Sequence, residues 1–166
     1  MRFTTQAEYG LICSLHLARF GGAGPVAARE MAERENLPAD YTEKILRRLR
    51  QAGIVTAVRG VSGGFELARE PHEISVKDVI DATEGQTFEI NCTTHPVGPE
   101  RCDENHDCTI RPVWYALRRR IDQLLSEIRL SDLVEENEAD VRELIDITWG
   151  DKSEGIMKRE QTVHER

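Results

Sequence analysis

Three of the chain's four cysteines, Cys92, Cys102 and Cys108, lie within one short stretch of sequence. This stretch, from Gln86 to Pro112, shows neither a helical nor a strand period and contains three prolines. A loop of that length inside a small domain usually has a function or is disordered. Three thiolates gathered in a loop can bind a soft metal ion or an iron–sulfur cluster. The cysteine loop, taken as residues 85–111, is therefore the first candidate for this protein's chemistry.

Other interpretations of these cysteines stay open: a structural zinc site, a disulfide, and simple reactive thiols. Structural zinc sites usually take cysteines about two to four residues apart, whereas nine residues and then five separate the three cysteines here. We favour an iron–sulfur cluster, either 2Fe–2S or 4Fe–4S, over zinc, and zinc over a disulfide, since cytosolic thiols stay reduced. Cys13 lies in an apolar helical run and is expected to be a core residue.

A cluster held by three cysteines leaves one ligand position for another side chain. His95, His106 and Asp107 lie in the same loop, and His106 is two residues from a cysteine. A histidine in a loop is otherwise most often only solvated. Glu8 is a further candidate, although it also completes a predicted capping box that starts at Thr5 and begins the first helix.

Composition limits the class of protein. The 166 residues can bury one core, or a small domain with an extension, but not two full domains. No apolar run follows the basic start of the chain, and none approaches the ~20 residues that span a bilayer. We therefore expect a cytoplasmic protein with no signal peptide and no membrane segment.

The net charge of −8 is unevenly distributed. Residues 1–70 carry ten Lys/Arg and eight Asp/Glu, whereas residues 71–166 carry twelve and twenty-two. Within residues 41–70, basic residues outnumber acidic ones by six to three. Affinity for DNA depends on such a local basic surface rather than on the total charge. The acidic total therefore does not exclude double-stranded DNA as a partner.

The first 84 residues are predicted to form a winged helix-turn-helix domain. Apolar residues recur at helical spacing in three segments, and a tight turn at Asn36-Leu37-Pro38 joins the second to the third. Basic residues on the outer side of the third helix fit a helix-turn-helix. The predicted elements are helices from Thr5 to Phe20, from Pro25, and from about Asp40 to Gly53, strands Ile54–Val58 and Phe65–Ala68, and a helix over 76–83 that Ser75 caps.

A long amphipathic helix is predicted after the cysteine loop, over residues 112–128. Its apolar residues alternate at spacings of three and four, the pattern of a helix that pairs with another helix. This seam consists of Trp114, Leu117, Ile121, Leu124 and Ile128. With a final helix over 138–148, it is predicted to form the dimerisation region, residues 112–148, before a disordered tail over 149–166. The predicted fold is mainly α with a small β-hairpin wing and a long dimerisation helix.

Several motifs resemble the Rrf2 family of bacterial transcription regulators over about residues 1–135, and the wing motif is specific. The motifs are Met1-Arg2-Phe3-Thr4-Thr5 with Glu8-Tyr9-Gly10-Leu11, Tyr41-x-x-Lys44-Ile45-Leu46-x-x-Leu49, Val58-Arg59-Gly60-x-x-Gly63-Gly64-Phe65-x-Leu67-Ala68, and Ile74-Ser75-Val76-x-Asp78-Val79-Ile80. The three cysteines, the Trp114 helix and Leu130-Ser131-Asp132-Leu133 resemble the branch of the family that binds an iron–sulfur cluster.

The resemblance implies a ligand set for the cluster. Cluster-binding relatives take their fourth ligand from an acidic residue in the first helix of the partner subunit, and Glu8 occupies that place here, which favours it over His106. These relatives usually have five residues between successive cysteines. Cys102 and Cys108 keep this interval, whereas the interval after Cys92 is longer.

The resemblance also implies DNA contacts. At the start of the recognition helix, Asp40, Thr42 and Glu43 would reach base edges, although Glu43 and Asp40 could instead cap that helix. The wing residues Arg59 and Gly60 would approach the minor groove, where a narrow groove concentrates negative potential. The side chains expected on phosphates are Lys44, Arg47, Arg48 and Arg50. A merely solvated helix face is the simpler interpretation of these charges, but it leaves the glycine-rich wing unexplained.

These patterns predict a homodimeric DNA-binding transcription regulator, not an enzyme. The oxidation, nitrosylation or occupancy of its cluster would control promoter binding. One alternative is a cluster-free regulator of the same fold that responds to a protein partner or to thiol oxidation. Another is a small iron–sulfur electron-transfer protein, which would not need the helix-turn-helix or the wing.

Overall fold

The computed structural model describes residues 4–85 and 108–135. The predicted final helix over 138–148, the tail over 149–166 and nearly all of the cysteine loop lie outside these residues. In chain order, the described elements are α1 (Thr5–Phe20), α2 (Ala28–Arg34), α3 (Ala39–Gln51), β1 (Val55–Val58), β2 (Gly64–Leu67), α4 (Val76–Glu84), α5 (Arg111–Glu127) and α6 (Leu130–Glu135). They form the expected helical domain with a two-stranded antiparallel hairpin.

The hydrophobic core lies where α1, α3 and α4 meet. α3 is amphipathic and buries Ile45, Leu46 and Leu49, each at most 1% exposed. The core also takes Leu17 from α1 and Val79 from α4. Because only one side of α3 is apolar, its opposite side is left to face solvent.

The helix-turn-helix has the expected connection between α2 and α3. Asn36 adopts a positive φ of 54°, a conformation that asparagine tolerates better than most residues. The N–H of Leu37 donates to the Ala32 carbonyl at 2.8 Å and closes the turn. At the far end of α3, Gly53 has a φ of 73° and ends the helix where the sequence predicted.

The start of α1 differs from the predicted capping box. The N-cap is Thr4, whose hydroxyl accepts a hydrogen bond from the Gln6 N–H at 3.1 Å, and Thr5 is already the first helical residue. Glu8 therefore lies one position too far along the helix to complete a box with the cap. The prediction that Glu8 serves as a cap is wrong.

The start of α2 also differs from prediction. The sequence placed it at Pro25, but Val26 is extended and pairs with Phe65 of β2 through two backbone hydrogen bonds of 2.9 and 2.8 Å. The helix begins at Ala28 instead. Gly64 permits this close pairing, since a Cβ there would lie 2.4 Å from the Val26 carbonyl oxygen. The wing is thus attached to the chain just before α2.

A single glycine sets the distance between α1 and α4. A Cβ on Gly10 would lie 2.6 Å from the Thr83 Cγ2 methyl and 3.4 Å from the Val79 Cγ1 methyl. Thr83 is itself buried, and its hydroxyl donates to the Val79 and Ile80 carbonyls at 3.0 and 3.1 Å. The two helices can therefore approach this closely only when residue 10 has no side chain.

The long helix α5 is anchored to the domain at its C-terminal end. Just beyond it, the Ile128 carbonyl accepts from the Val76 N–H, and the Leu130 N–H donates to the Ile74 carbonyl, each at 2.9 Å. Ile74 and Leu130 are fully buried. Ile128, predicted as the last residue of the seam, lies past the helix in extended backbone and is 7% exposed. It belongs to the protomer's own core, which corrects the predicted seam.

We expect Gly10→Ala to lower the free energy of unfolding, measured by urea denaturation. Overpacking of a close contact costs about 1–3 kcal/mol. This exceeds the ~1 kcal/mol that alanine gains over glycine inside a helix.

Thr83→Ser is the matched variant, because it removes only the Cγ2 methyl and keeps the hydroxyl. Alone it should lower stability by about 0.8 kcal/mol, the value of one buried methylene-sized group. In the Gly10→Ala background it should instead restore stability. Additive effects of the two substitutions would contradict the close contact.

Candidate DNA-binding surface and cluster ligands

The outer face of α3 presents five exposed charged residues: Asp40, Glu43, Lys44, Arg47 and Arg50. None of their side chains makes a hydrogen bond or ion pair with another residue in the part of the chain that the structure describes. α3 starts at Pro38 as N-cap, with no side-chain capping bond. The alternative role for Asp40 and Glu43, capping α3, is therefore not found, and both carboxylates remain available at the start of the helix.

The outer face of α3 adjoins the wing. Glu43, Arg47 and Arg50 line a common groove with Ala28 of α2 and Phe65 of β2. Ala28 and Phe65 belong to the two segments that the Val26–Phe65 backbone pairing joins. The pairing that attaches the wing therefore also positions one wall of the groove. The arrangement places two guanidinium groups and one carboxylate on one continuous surface.

Thr42 does not belong to that surface. It is 0% exposed, and its hydroxyl donates to the Pro38 carbonyl at 3.1 Å, inside the first turn of α3. A side chain that is buried and hydrogen-bonded in this way does not present a donor to a base edge. Thr42 is therefore a core residue, and the expectation that it contacts bases is wrong.

Arg48 also departs from its predicted role. Its guanidinium donates both to the Gln6 side-chain carbonyl and to the Thr83 backbone carbonyl, so that it binds α1 and α4. Its neighbours Arg47 and Arg50 make no such contacts among the described residues. Arg48 is thus occupied within the protein, and the predicted set of phosphate contacts reduces to Lys44, Arg47 and Arg50.

Arg59 and Gly60 lie in the turn between the two wing strands, and both are exposed. Gly60 has a φ of 127°, which side chains other than glycine rarely adopt. Gly63 closes the turn by donating its N–H to the Gly60 carbonyl at 3.0 Å. A Cβ on Gly63 would lie 2.4 Å from the Val58 carbonyl oxygen. The glycines therefore build a narrow turn, and Arg59 is exposed at the start of this turn.

Glu8 is exposed in the first turns of α1, and its carboxylate has no hydrogen bond or ion pair within the described chain. The N–H groups at the N-terminus of α1 are capped by other side chains. Besides Thr4, the Glu84 carboxylate accepts from the Thr4 N–H at 3.0 Å and from the Ala7 N–H at 3.3 Å. No sequence pattern pointed to Glu84 in this role, since it lies 80 residues from Thr4.

The structure describes two of the four cysteines, and these two lie in different environments. Cys13 is fully buried in α1, and burial, with a smaller effect of the nearby Glu35 carboxylate, raises the pKa of its thiol to about 12. A thiol that resists ionisation is a poor ligand and nucleophile, as expected for a core residue. Cys108 is half-buried, three residues before α5.

The remaining predicted ligands, Cys92, Cys102, His95, His106 and Asp107, lie outside the described residues. Within residues 4–85 and 108–135, no three His, Cys, Asp or Glu side chains are close enough together to hold a metal ion. Within these ranges no helix is both long and apolar enough to cross a membrane.

Comparison with known proteins supports the fold and the class of protein. A model of the Rrf2 family, described as iron-dependent transcriptional regulators, matches residues 3–136. The HTH-type transcriptional regulator IscR of Aliivibrio salmonicida is 33% identical over 138 residues, which cover 83% of this chain and 80% of that protein.

Solved structures agree with this match. IscR of T. potens superposes with a TM-score of 0.64 at 32% identity, over 81% of this chain and 87% of that one. CymR (YrzC), the global cysteine regulator of B. subtilis, superposes with a TM-score of 0.67 at 28% identity, over 83% and 99% of the two chains. The expected winged-helix fold is confirmed.

Proposed function

Since the chain belongs to the Rrf2 family of transcriptional regulators, we propose that it binds promoter DNA as a homodimer under the control of an iron–sulfur cluster. Its relatives are transcription regulators, so the chain is a regulator and not an enzyme. The observation that carries the cluster proposal is the Glu8 carboxylate, which is exposed and has no structural role in its own helix.

The outer face of α3 and the wing turn form the DNA-binding surface. Lys44, Arg47 and Arg50 bind phosphates, which positions the protein on the duplex without reading sequence. Asp40 and Glu43 face the bases, and Glu43 can accept a hydrogen bond from a cytosine amino group. Arg59, which is exposed in the wing turn, enters the minor groove.

The cluster is held by Cys92, Cys102 and Cys108 of one protomer and by Glu8 of the other. The donor types fit such a group, because thiolates are the usual ligands of iron–sulfur clusters, and a carboxylate is a weaker and more exchangeable ligand. The bound cluster would supply redox and ligand-exchange chemistry at these side chains. His106 is the alternative fourth ligand.

A second copy of the chain covers the apolar stripe of α5. Ile110, Val113, Trp114 and Leu117 fall at positions i, i+3, i+4 and i+7, and each is 41–59% exposed. Further along the helix, Ile121 and Leu124 are only half-buried. Such a stripe at coiled-coil spacing is typical of a helix that pairs with a copy of itself.

This arrangement links the ligands to the DNA-binding surface. Glu8 ties the first helix of one protomer to the cysteine loop of the other. Losing that tie changes the angle between the two recognition helices, and hence the spacing of the half-sites that the dimer can bind.

A cluster-free regulator of the same fold is the second candidate function. It is favoured by the likeness to CymR, a structure described as a global cysteine regulator. It predicts a colourless protein whose DNA binding responds to thiol oxidation or to a protein partner. The electron-transfer protein, by contrast, offers no reason for an exposed basic face beside a glycine-built wing.

We expect anaerobically purified protein to be coloured and to contain iron and sulfide. Cys102→Ala and Cys108→Ala should each give colourless protein, because each removes one of the thiolates that hold the cluster. Cys13→Ala is the control and should keep the visible spectrum, since Cys13 is buried and protonated. Colourless wild-type protein would instead support the cluster-free regulator.

Glu8→Gln tests the fourth ligand, because it keeps the size of the side chain and removes the charge. It should alter the visible spectrum and speed the loss of the cluster in air. If Glu8→Gln behaves as wild type does while His106→Ala loses its cluster faster, the ligand is His106.

Arg47→Ala should weaken binding to every DNA sequence and lower the slope of log affinity against log salt by about one unit. Arg59→Ala should lose most affinity on duplexes with a narrow A·T-rich minor groove. Fluorescence anisotropy with random-sequence duplexes and A·T-rich duplexes measures both effects. Arg119→Ala on α5 is the control, and unchanged binding by both test variants would remove this surface from the proposal.

Leu117→Glu should convert the dimer to a monomer in sedimentation experiments. Leu117 is 41% exposed in the protomer, so a charge there disturbs the protomer little but costs on the order of several kcal/mol when a second helix covers it. Arg119→Glu, on the opposite side of α5, should stay dimeric. A dimer that survives Leu117→Glu would show that the two copies meet elsewhere.

A further inference from the structure

Two charged side chains connect the start of the cysteine loop to α1 and to α3, the recognition helix of the helix-turn-helix. Glu84 is the last residue of α4, and Gly85, with a φ of 88°, ends the helix and begins the loop. The Glu84 carboxylate binds the first turn of α1 through Thr4 and Ala7. We refer to Glu84 and Arg48, with the groups that they bind, as the clasp.

Arg48 supplies the other half of the clasp. From α3 it reaches the carbonyl of Thr83, one residue before Glu84, and the side chain of Gln6 in the first turn of α1. Three helices therefore meet at two consecutive residues of α4. Of these helices, α3 carries the DNA-binding face, α1 carries Glu8, and α4 leads into the cysteine loop.

Each charge of the clasp complements a helix end. The N-terminal N–H groups of a helix carry partial positive charge, and the C-terminal carbonyls carry partial negative charge. Glu84 accepts from N–H groups at the start of α1, and Arg48 donates to a carbonyl at the end of α4. Hydrogen bonds to charged groups are shorter and stronger than those between neutral groups, so the clasp holds the start of α1, the end of α4 and the Arg48 side chain of α3 in one arrangement.

We propose that Arg48 and Glu84 are positioning residues that couple the cysteine loop to the orientation of α3. This proposal rests on the proposed function, because it requires a loop whose state changes. A displacement of residues 83–85 towards α1 is blocked, since the Thr83 methyl already packs where a Cβ on Gly10 would lie. The displacement instead passes through Arg48 to α3 and through Glu84 to the first turn of α1, one turn before Glu8. The coupling path is thus a chain of direct contacts.

Two other roles for Arg48 make different predictions. A phosphate contact would contribute equally to DNA binding by the cluster-loaded and cluster-free proteins. A purely stabilising contact would affect the melting temperature and leave both affinities unchanged. A coupling residue changes the ratio of the two affinities, and neither of the other roles does so.

The experiment compares wild type, Arg48→Ala, Glu84→Ala and the double variant, with Arg50→Ala as the control on the exposed face of α3. The DNA probe is a duplex selected by the wild-type protein from a random-sequence pool. Its affinity is measured for the cluster-loaded protein and for protein freed of its cluster by chelation, at several salt concentrations. Iron and sulfide are counted in each loaded sample.

For wild type, we expect the DNA affinities of the cluster-loaded and cluster-free proteins to differ by a ratio on the order of 5–150-fold, the usual range of coupling between two sites. In both clasp variants this ratio should fall below about 2-fold while the iron content and the salt slope are kept, and the double variant should lose no more than either single one. Arg50→Ala should weaken both forms and preserve the ratio. An equal loss in both forms with a smaller salt slope, or an unchanged ratio, overturns the proposal.

Hydrogen exchange separates a failure of the clasp from a failure of the proposed function. A wild-type ratio of one would refute control by the cluster, and the clasp is then judged on exchange alone. Glu84→Ala should speed amide exchange in residues 44–51 of α3, although the Glu84 side chain makes its hydrogen bonds to the start of α1 and not to that helix. Exchange that changes only in residues 4–8 and 80–85 would show that the clasp does not reach α3.

Discussion

The contact between Gly10 and Thr83 is the constraint on which the rest of the domain depends. It brings α1 and α4 closer than any side chain at residue 10 would allow. At that separation the Glu84 carboxylate reaches the first turn of α1, and the Thr83 carbonyl reaches Arg48 of α3. The position of the recognition helix and the capping of α1 therefore follow from one missing Cβ.

The arginines of α3 show how packing divides one residue type between two tasks. Arg47 and Arg50 project into a groove beside the wing, whereas Arg48 turns towards α1 and α4. All three are exposed by area, and all three are basic residues of one helix turn. What separates them is the direction in which the helix aims each side chain, which changes by about 100° per residue. A basic helix face is thus smaller than its count of basic residues suggests.

Sequence periodicity was enough to predict α1 to α5, the hairpin and the exposed side of α3, because burying one apolar face determines these features. The short helix α6 was not predicted. It could not predict contacts between residues far apart in sequence. Val26 resembles the first residue of a helix until Phe65 pairs with it, and Glu84 resembles a solvated helix end until Thr4 meets it. Thr42 likewise differs from Glu43 only in the side of α3 on which it falls. The ligand set drew on a resemblance and on types of side chain, and of its members the structure describes Glu8 and Cys108.

The long helix also has a mechanical consequence. α5 has 17 residues and is therefore about 26 Å long at the usual rise per residue. Its C-terminal end, which we call the base, is fixed to the core beside Ile74 and Leu130. The exposed apolar stripe lies at its N-terminal, distant end. A tilt of only about 5° at the base would move the distant end by roughly 2 Å for a helix of this length. The helix thus acts as a lever arm. A sub-ångström rearrangement of the core at its C-terminal end becomes a displacement of ångströms at its N-terminal end.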